Sequence, residues 1–250
     1  MVVGKANMHE LALGVTSDNA AFGPVRNPRR PDRSAGGSSG GTAAAVASGS
    51  VPFALGTDTG GSMTIPAAFC GVVGMRPRQG RYPNDGLLAI SPTRDTIGVM
   101  ATCVADVALV DSVIAADGAA GVPTGRLGVP RCAWRDGVAA DVRQASEQAL
   151  LDLERGGFEL VDVDLADIQE RALDCRHVLV SYEAPRALRR LLAAAGSDWV
   201  SVEDLVPRTE SADVRAILEG FVSDPVTDAR YESVMHLRQR LQRATRTAFD

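Results

Sequence analysis

Two glycine-rich blocks constrain this chain more than anything else in it. The first runs Ser34-Ala35-Gly36-Gly37-Ser38-Ser39-Gly40-Gly41-Thr42-Ala43-Ala44-Ala45. The second runs Gly56-Thr57-Asp58-Thr59-Gly60-Gly61-Ser62-Met63-Thr64-Ile65-Pro66-Ala67. A flexible linker is the bland reading, but the second block lies between a strand pattern and a proline-bearing helix start, which linkers lack. A phosphate loop of the GxxxxGK[ST] type needs a lysine in the loop, and the single lysine of the chain is Lys5. Gly36-x-Ser38-x-Gly40 has the GxSxG spacing of a nucleophile elbow. That turn follows a strand directly, whereas Arg30-Pro31-Asp32-Arg33-Ser34 reads as loop, so the elbow is a false match.

The second block has the better chemistry. Gly60 and Gly61 let the backbone turn so that consecutive N–H groups face one point. Ser62 then opens a short helix in whose first turn Pro66 is tolerated. A hydroxyl beside several unspent N–H groups is what an oxyanion-stabilising site requires.

Around these blocks the pattern is that of an α/β protein with a covered sheet. Residues 1–4 read as a strand end, 43–47 as a short helix, 53–57 as a short buried strand and 71–75 as another. Residues 16–37, polar and rich in Pro and Arg, read as loop. Val107, Val110 and Ile114 step by three and four, which predicts an amphipathic helix over 103–116. A second helix is expected over 141–155, stopped by Gly156 and Gly157. Val161, Val163 and Leu165 alternate with aspartates as a strand does. Val234, Leu237, Leu241 and Ala244 mark a late helix. A turn-rich stretch, 117–125, divides a Gly, Ser, Thr and Pro-rich part from a more helical one.

Composition narrows the function. The net charge of −5 argues against binding nucleic acid through a cationic surface. Arg26, Arg29, Arg30 and Arg33 cluster without interleaved aromatics and read as a solvated loop. Cys70, Cys103, Cys132 and Cys175 form no CxxC pair, and His9, His177 and His236 are scattered, so no metal site is expected. Cys70 reads as core. No apolar run reaches membrane-spanning length and no signal-peptide layout opens the chain, which makes a reduced, cytoplasmic setting the expectation.

The ordered motifs resemble the amidase signature family. The likeness is carried by Gly36-Gly37-Ser38-Ser39-Gly40-Gly41 followed by Asp58-Thr59-Gly60-Gly61-Ser62. Gly4-Lys5-Ala6-Asn7-Met8-His9-Glu10 lies upstream; Gly80-Arg81-Tyr82-Pro83-Asn84-Asp85-Gly86 and Ser91-Pro92-Thr93-Arg94-Asp95-Thr96 lie downstream. The downstream wording most resembles the aryl-acetamide branch, that of mandelamide and indoleacetamide hydrolases. Residues 1–117 carry the likeness strongly, and Ser181-Tyr182-Glu183-Ala184-Pro185 weakly.

The resemblance implies a mixed sheet covered by helices, in one amidase domain over 1–250. Its signature core is 1–117 and its continuation 125–250. It implies hydrolysis of carboxylic amides through a Ser–cis-Ser–Lys triad, with no cofactor and no metal. Ser62 is then the nucleophile and Ser38, after a cis peptide bond, the bridging serine. The N–H groups of Thr59, Gly60, Gly61 and Ser62 form the oxyanion hole, while Gly36, Gly37, Ser39, Gly40 and Asp58 support the loops. The partner is a small-molecule amide, not nucleic acid or membrane, and open strand edges favour self-association.

Three departures from the family pattern set further expectations. The triad lysine belongs upstream of the motif that opens this chain, and Lys5 matches another position, that of a partly buried structural lysine. Thr64 stands where the family has Arg, which removes the charged partner of Asp58. The chain reads as the middle of an amidase, incomplete at both ends and weakly active or inactive alone. The alternatives are a non-catalytic interaction protein built on the same scaffold and an amidotransferase A-subunit.

Overall fold

The computed structural model describes residues 2–115, 125–130, 137–196, 198 and 201–249. Cys132 and positions 117–124 of the expected dividing turn lie outside the described residues. By their contacts the residues form two units, Met1–Ala119 with Val180–Thr227, and Ala120–Leu179 with Asp228–Asp250.

The first unit is built on a three-stranded antiparallel sheet, β3 (Phe53–Asp58), β4 (Val73–Met75) and β5 (Thr96–Ala101), in the order β3-β5-β4. It is preceded by a hairpin, β1 (Arg26–Asn27) with β2 (Arg30–Ser34). Side chains alternate across a strand, so the two faces of β5 divide cleanly. Met100 packs with Ala43 and Val46 of α1 (Gly40–Ala47) and Ala67 of α2 (Thr64–Cys70). Val99 and Ala101 pack with Tyr82 and with Val107 of α3 (Val104–Ala115). The central strand is thus covered on both faces, and helices pack on the sheet as the resemblance implied. At Gly98 an added Cβ would lie 2.5 Å from the Met75 carbonyl oxygen and 2.8 Å from Met63 Cγ. The absence of a side chain there lets β4 and α2 close onto the strand.

A second core in the same unit joins Leu13, Ala184, Leu188, Val202, Val214, Leu218 and Phe221. It involves α5 (Ala166–Ala194), α6 (Val202–Leu205) and α7 (Ala212–Ser223). Ser201 and Asp204 close a reciprocal capping box at the start of α6. Glu10 accepts hydrogen bonds from the Glu210 and Ser211 N–H groups just ahead of α7.

The second unit contains a parallel pair, β6 (Arg126–Val129) with β7 (Glu159–Asp162), connected through α4 (Ala140–Arg155). α4 ends as its glycines predict: Gly157 takes φ +91° and the Phe158 N–H reaches back to the Leu153 carbonyl. Gly128 lies against Phe249 at the end of α8 (Asp228–Phe249) and against Val163.

Several expectations need correction. Residues 2–4 are not in a strand; no described strand offers them a ladder. Residues 16–37 are not all loop, because β1 and β2 pair there. Phe53 and Leu55 of β3 are exposed, 45% and 49%, not buried. Arg29 is not merely solvated: its Nε and Nη2 donate to the carbonyls of Cys70 and Gly71, at 2.8 and 3.2 Å, at the end of α2. Among the described residues no helix is long and apolar enough to cross a membrane.

Candidate active site

The first block folds into a loop held by its backbone. Gly36 has φ +77°, and a Cβ there would lie 2.9 Å from Pro66 Cα, so the position admits only glycine without strain. The Gly37–Ser38 peptide bond is cis. The Ser38 carbonyl accepts from the His9 N–H at 3.0 Å and from Ser17 Oγ at 3.1 Å. Ser17 Oγ in turn accepts the Gly40 N–H at 3.0 Å. His9 is fully buried, and its Nδ1 accepts the Ser17 N–H at 3.2 Å. Its Nε2 lies 3.1 Å from Asp213 Oδ2 but off the geometry a hydrogen bond requires.

Ser38 is fully buried, and its Oγ has no hydrogen-bond partner among the described residues. A buried hydroxyl left unpaired costs about 1–3 kcal/mol, so native structures rarely keep one without a use. The next N–H, that of Ser39, donates to the Ser62 carbonyl at 3.2 Å. Ser39 Oγ bridges to the Thr57 carbonyl at 3.2 Å. The two blocks are thereby laid together.

The second block turns between β3 and α2. Asp58 is fully buried; its Oδ1 accepts the Gly61 N–H at 2.8 Å and its Oδ2 the Met63 N–H at 2.7 Å. The carboxylate therefore braces the residues on either side of Ser62. Gly61, with φ +115°, makes the turn. Its N–H is committed to Asp58, which corrects the expectation of four open donors. No acceptor among the described residues takes the N–H of Thr59, Gly60 or Ser62.

Asp58 does have a charged partner, contrary to the expectation from Thr64. Arg76, one residue past β4, places Nη1 2.6 Å from Asp58 Oδ1 and 2.5 Å from its carbonyl, and Nη2 2.8 Å from the Arg94 carbonyl. Thr64 Oγ1 makes only a local contact to the Gly61 carbonyl. Lys5 is exposed, not partly buried, because the segment around it lies outside any ladder.

Sequence reasoning singled out no role for Arg76, Arg94, Asp95 or Glu183. Arg94 Nη2 donates to the Thr59 carbonyl at 2.8 Å, and Thr59 Oγ1 donates to Asp95 Oδ1 at 2.5 Å. Burial pushes the Asp95 carboxyl up, against the pull of its hydrogen bonds from Thr59, Ser91 and Ile90, and the nearby Glu183 charge adds to the rise. The motif Ser91-Pro92-Thr93-Arg94-Asp95-Thr96 was the available signal, but spacing did not say which loop it would meet. Among the described residues no group of three or more His, Cys, Asp or Glu side chains is placed to hold a metal ion.

A turn with open N–H donors, a serine at its end and a second, buried serine on the adjoining cis loop thus lie together in the first unit. Residues 1–250 match the amidase family, and the chain belongs to it, as the signature motifs implied. It is 41% identical to the indoleacetamide hydrolase of Agrobacterium vitis, over 97% of this chain and 53% of that protein. It is 43% identical to the mandelamide hydrolase of Pseudomonas putida, over 89% of this chain and 45% of that protein. A crystal structure of an amidase superposes with a TM-score of 0.82 at 36% identity, covering 96% of this chain and 52% of that one. The chain spans about half the length of the curated relatives it matches.

Proposed function

We propose that this chain carries the nucleophile and oxyanion turn of an amide hydrolase acting on primary amides of aryl-substituted acetic acids. Ser62 Oγ attacks the amide carbonyl, and its proton passes to Ser38 Oγ. The negative charge that develops on the carbonyl oxygen is met by the N–H groups of Thr59, Gly60 and Ser62. The proton taken from Ser62 is delivered through Ser38 to the amide nitrogen, so that collapse breaks the C–N bond, expels ammonia and leaves Ser62 acylated; water then releases the acid. The names of the mandelamide and indoleacetamide hydrolases, both acting on amides that carry a ring close to the carbonyl, support the substrate class.

The observation that carries this reading is the unpartnered, fully buried Oγ of Ser38 beside the Ser62 loop. A relay serine must accept one proton and hand on another, so its hydroxyl cannot be spent on the scaffold. The exposed Lys5 does not meet it. These 250 residues therefore turn over aryl acetamides weakly or not at all, because among the described residues no base meets the Ser38 hydroxyl.

The test has two arms. Ammonia release from phenylacetamide is expected to be near background, while an activated aryl ester, whose leaving group needs little help, acylates Ser62 stoichiometrically by intact mass. Rapid amide turnover abolished by Ser62→Ala overturns the weak-activity claim. Acylation that persists in Ser62→Ala overturns the nucleophile assignment.

A further inference from the structure

We propose that Asp95, fixed from behind by Glu183, is a positioning residue that sets the oxyanion turn through the Thr59 hydroxyl. The inference rests on the reading of residues 59–62 as that turn. Its starting point is the register of the central sheet. The β3–β5 ladder ends at Asp58 opposite Thr96, so the next pair, Thr59 and Asp95, faces across the point where backbone pairing stops. There the side chains replace the ladder: Thr59 Oγ1 donates to Asp95 Oδ1 at 2.5 Å. The Thr59 main chain is thus held at β5 without its N–H being spent on a ladder bond, which leaves that donor for a ligand.

The carboxylate itself cannot swing away. Asp95 Oδ2 accepts the N–H groups of Ile90 and Ser91 at 2.7 and 2.8 Å. Ser91 Oγ donates to Glu183 Oε2 at 2.6 Å, and Thr93 Oγ1 to Glu183 Oε1 at 2.7 Å. Both carboxylates are buried, 3% and 6% exposed. A continuous chain of hydrogen bonds therefore runs from α5, through the loop at 90–95, to the turn. Arg94 holds the other side of Thr59 by its carbonyl. An amide at position 95 keeps the two N–H groups only on its oxygen end, and its nitrogen end then turns the Thr59 hydroxyl from donor to acceptor.

The experiment compares Thr59→Val, Thr59→Ser and Asp95→Asn with the parent chain. The first readout is the acylation rate of Ser62 by p-nitrophenyl acetate, split into probe affinity and maximal rate. The second is the set of backbone amide resonances of residues 59–62 by NMR. Thr59→Val, which exchanges only the hydroxyl for a methyl, is expected to lower the maximal rate at least about tenfold with little change in probe affinity, and Asp95→Asn, which reverses the bond, by less. Both are expected to shift those amides. Thr59→Ser, which keeps the donor, restores both readouts. A Thr59→Val protein with parental amide shifts overturns the proposal, as does a Thr59→Ser protein as impaired as Thr59→Val. If the parent chain is not acylated at Ser62, the nucleophile reading falls, and the amide shifts alone decide the positioning role.

Discussion

Arg76→Met isolates the pair that braces the turn. Methionine keeps an unbranched stem but removes the guanidinium from a carboxylate that is fully buried. Stranding one partner of a buried pair costs about 3–5 kcal/mol. The Arg76 side chain is itself 33% exposed, which screens the interaction and sets the expected loss at the low end, about 3 kcal/mol. In an Asp58→Asn background no buried charge remains to strand, and the same change forfeits only hydrogen bonding, about 1 kcal/mol. The coupling between the two positions is then about 2 kcal/mol. Urea unfolding of the four proteins, followed by far-ultraviolet circular dichroism, completes the cycle. A coupling within about 0.5 kcal/mol of zero would show that Arg76 merely caps the Asp58 and Arg94 carbonyls, and would refute the reasoning.

Two further outcomes follow from the same structure. Gly36→Ala combines a left-handed backbone with a contact to the Pro66 backbone, whereas Gly49→Ala, with φ +74°, meets open space. The first is expected to lower stability by clearly more than the about 1–2 kcal/mol of the second, and equal urea midpoints would contradict the close approach of Gly36 to α2. The Asp111 carboxyl is held below the usual carboxylate range by hydrogen bonds from Arg81 and from the Tyr82 hydroxyl, with the Arg81 charge adding to them. Its stabilising contribution is therefore complete above the ordinary aspartate range, about 3.9, and is lost as pH falls through the depressed value. Asp111→Asn should flatten the acid side of the stability profile; an unchanged slope would count against that contribution. Asp95 works in the opposite sense, since its raised value favours the protonated fold and that contribution is lost as pH rises through it.

Where side chains alternate or repeat at helical spacing, the elements were legible from sequence. α1, α3, α4 and α8 fall where three-and-four spacing or alanine runs placed them, and β3 and β4 lie within two residues of their expected bounds. β5 gave no such signal. Thr-Ile-Gly-Val-Met-Ala is covered on both faces, so it has no polar alternation, and Gly98 at its centre reads as a breaker. The β1–β2 hairpin escaped notice because every residue of β2 is exposed and Pro31 sits in it. α5 was hidden by Pro185 inside the helix. At the site, the cis bond before Ser38 followed from the motif. The partner of Asp58 did not, because Arg76 lies 18 residues away and only the fold returns it to the turn.

The strand order β3-β5-β4 also governs the sequence of assembly. Among the described strands both β3 and β4 pair with β5 alone, and β5 is the last of the three to leave the ribosome. Until then the serine turn at the end of β3 has no sheet beneath it, and Thr59 and Asp58 lack Asp95 and the carbonyl of Arg94 that anchors Arg76. The turn therefore gains its sheet only once β5 is made, and Glu183 of α5, which ties the 90–95 loop, follows later still. A nascent chain that stalls before Ala101 carries both serines of the signature without the sheet that brings Arg76, Arg94 and Asp95 to the turn.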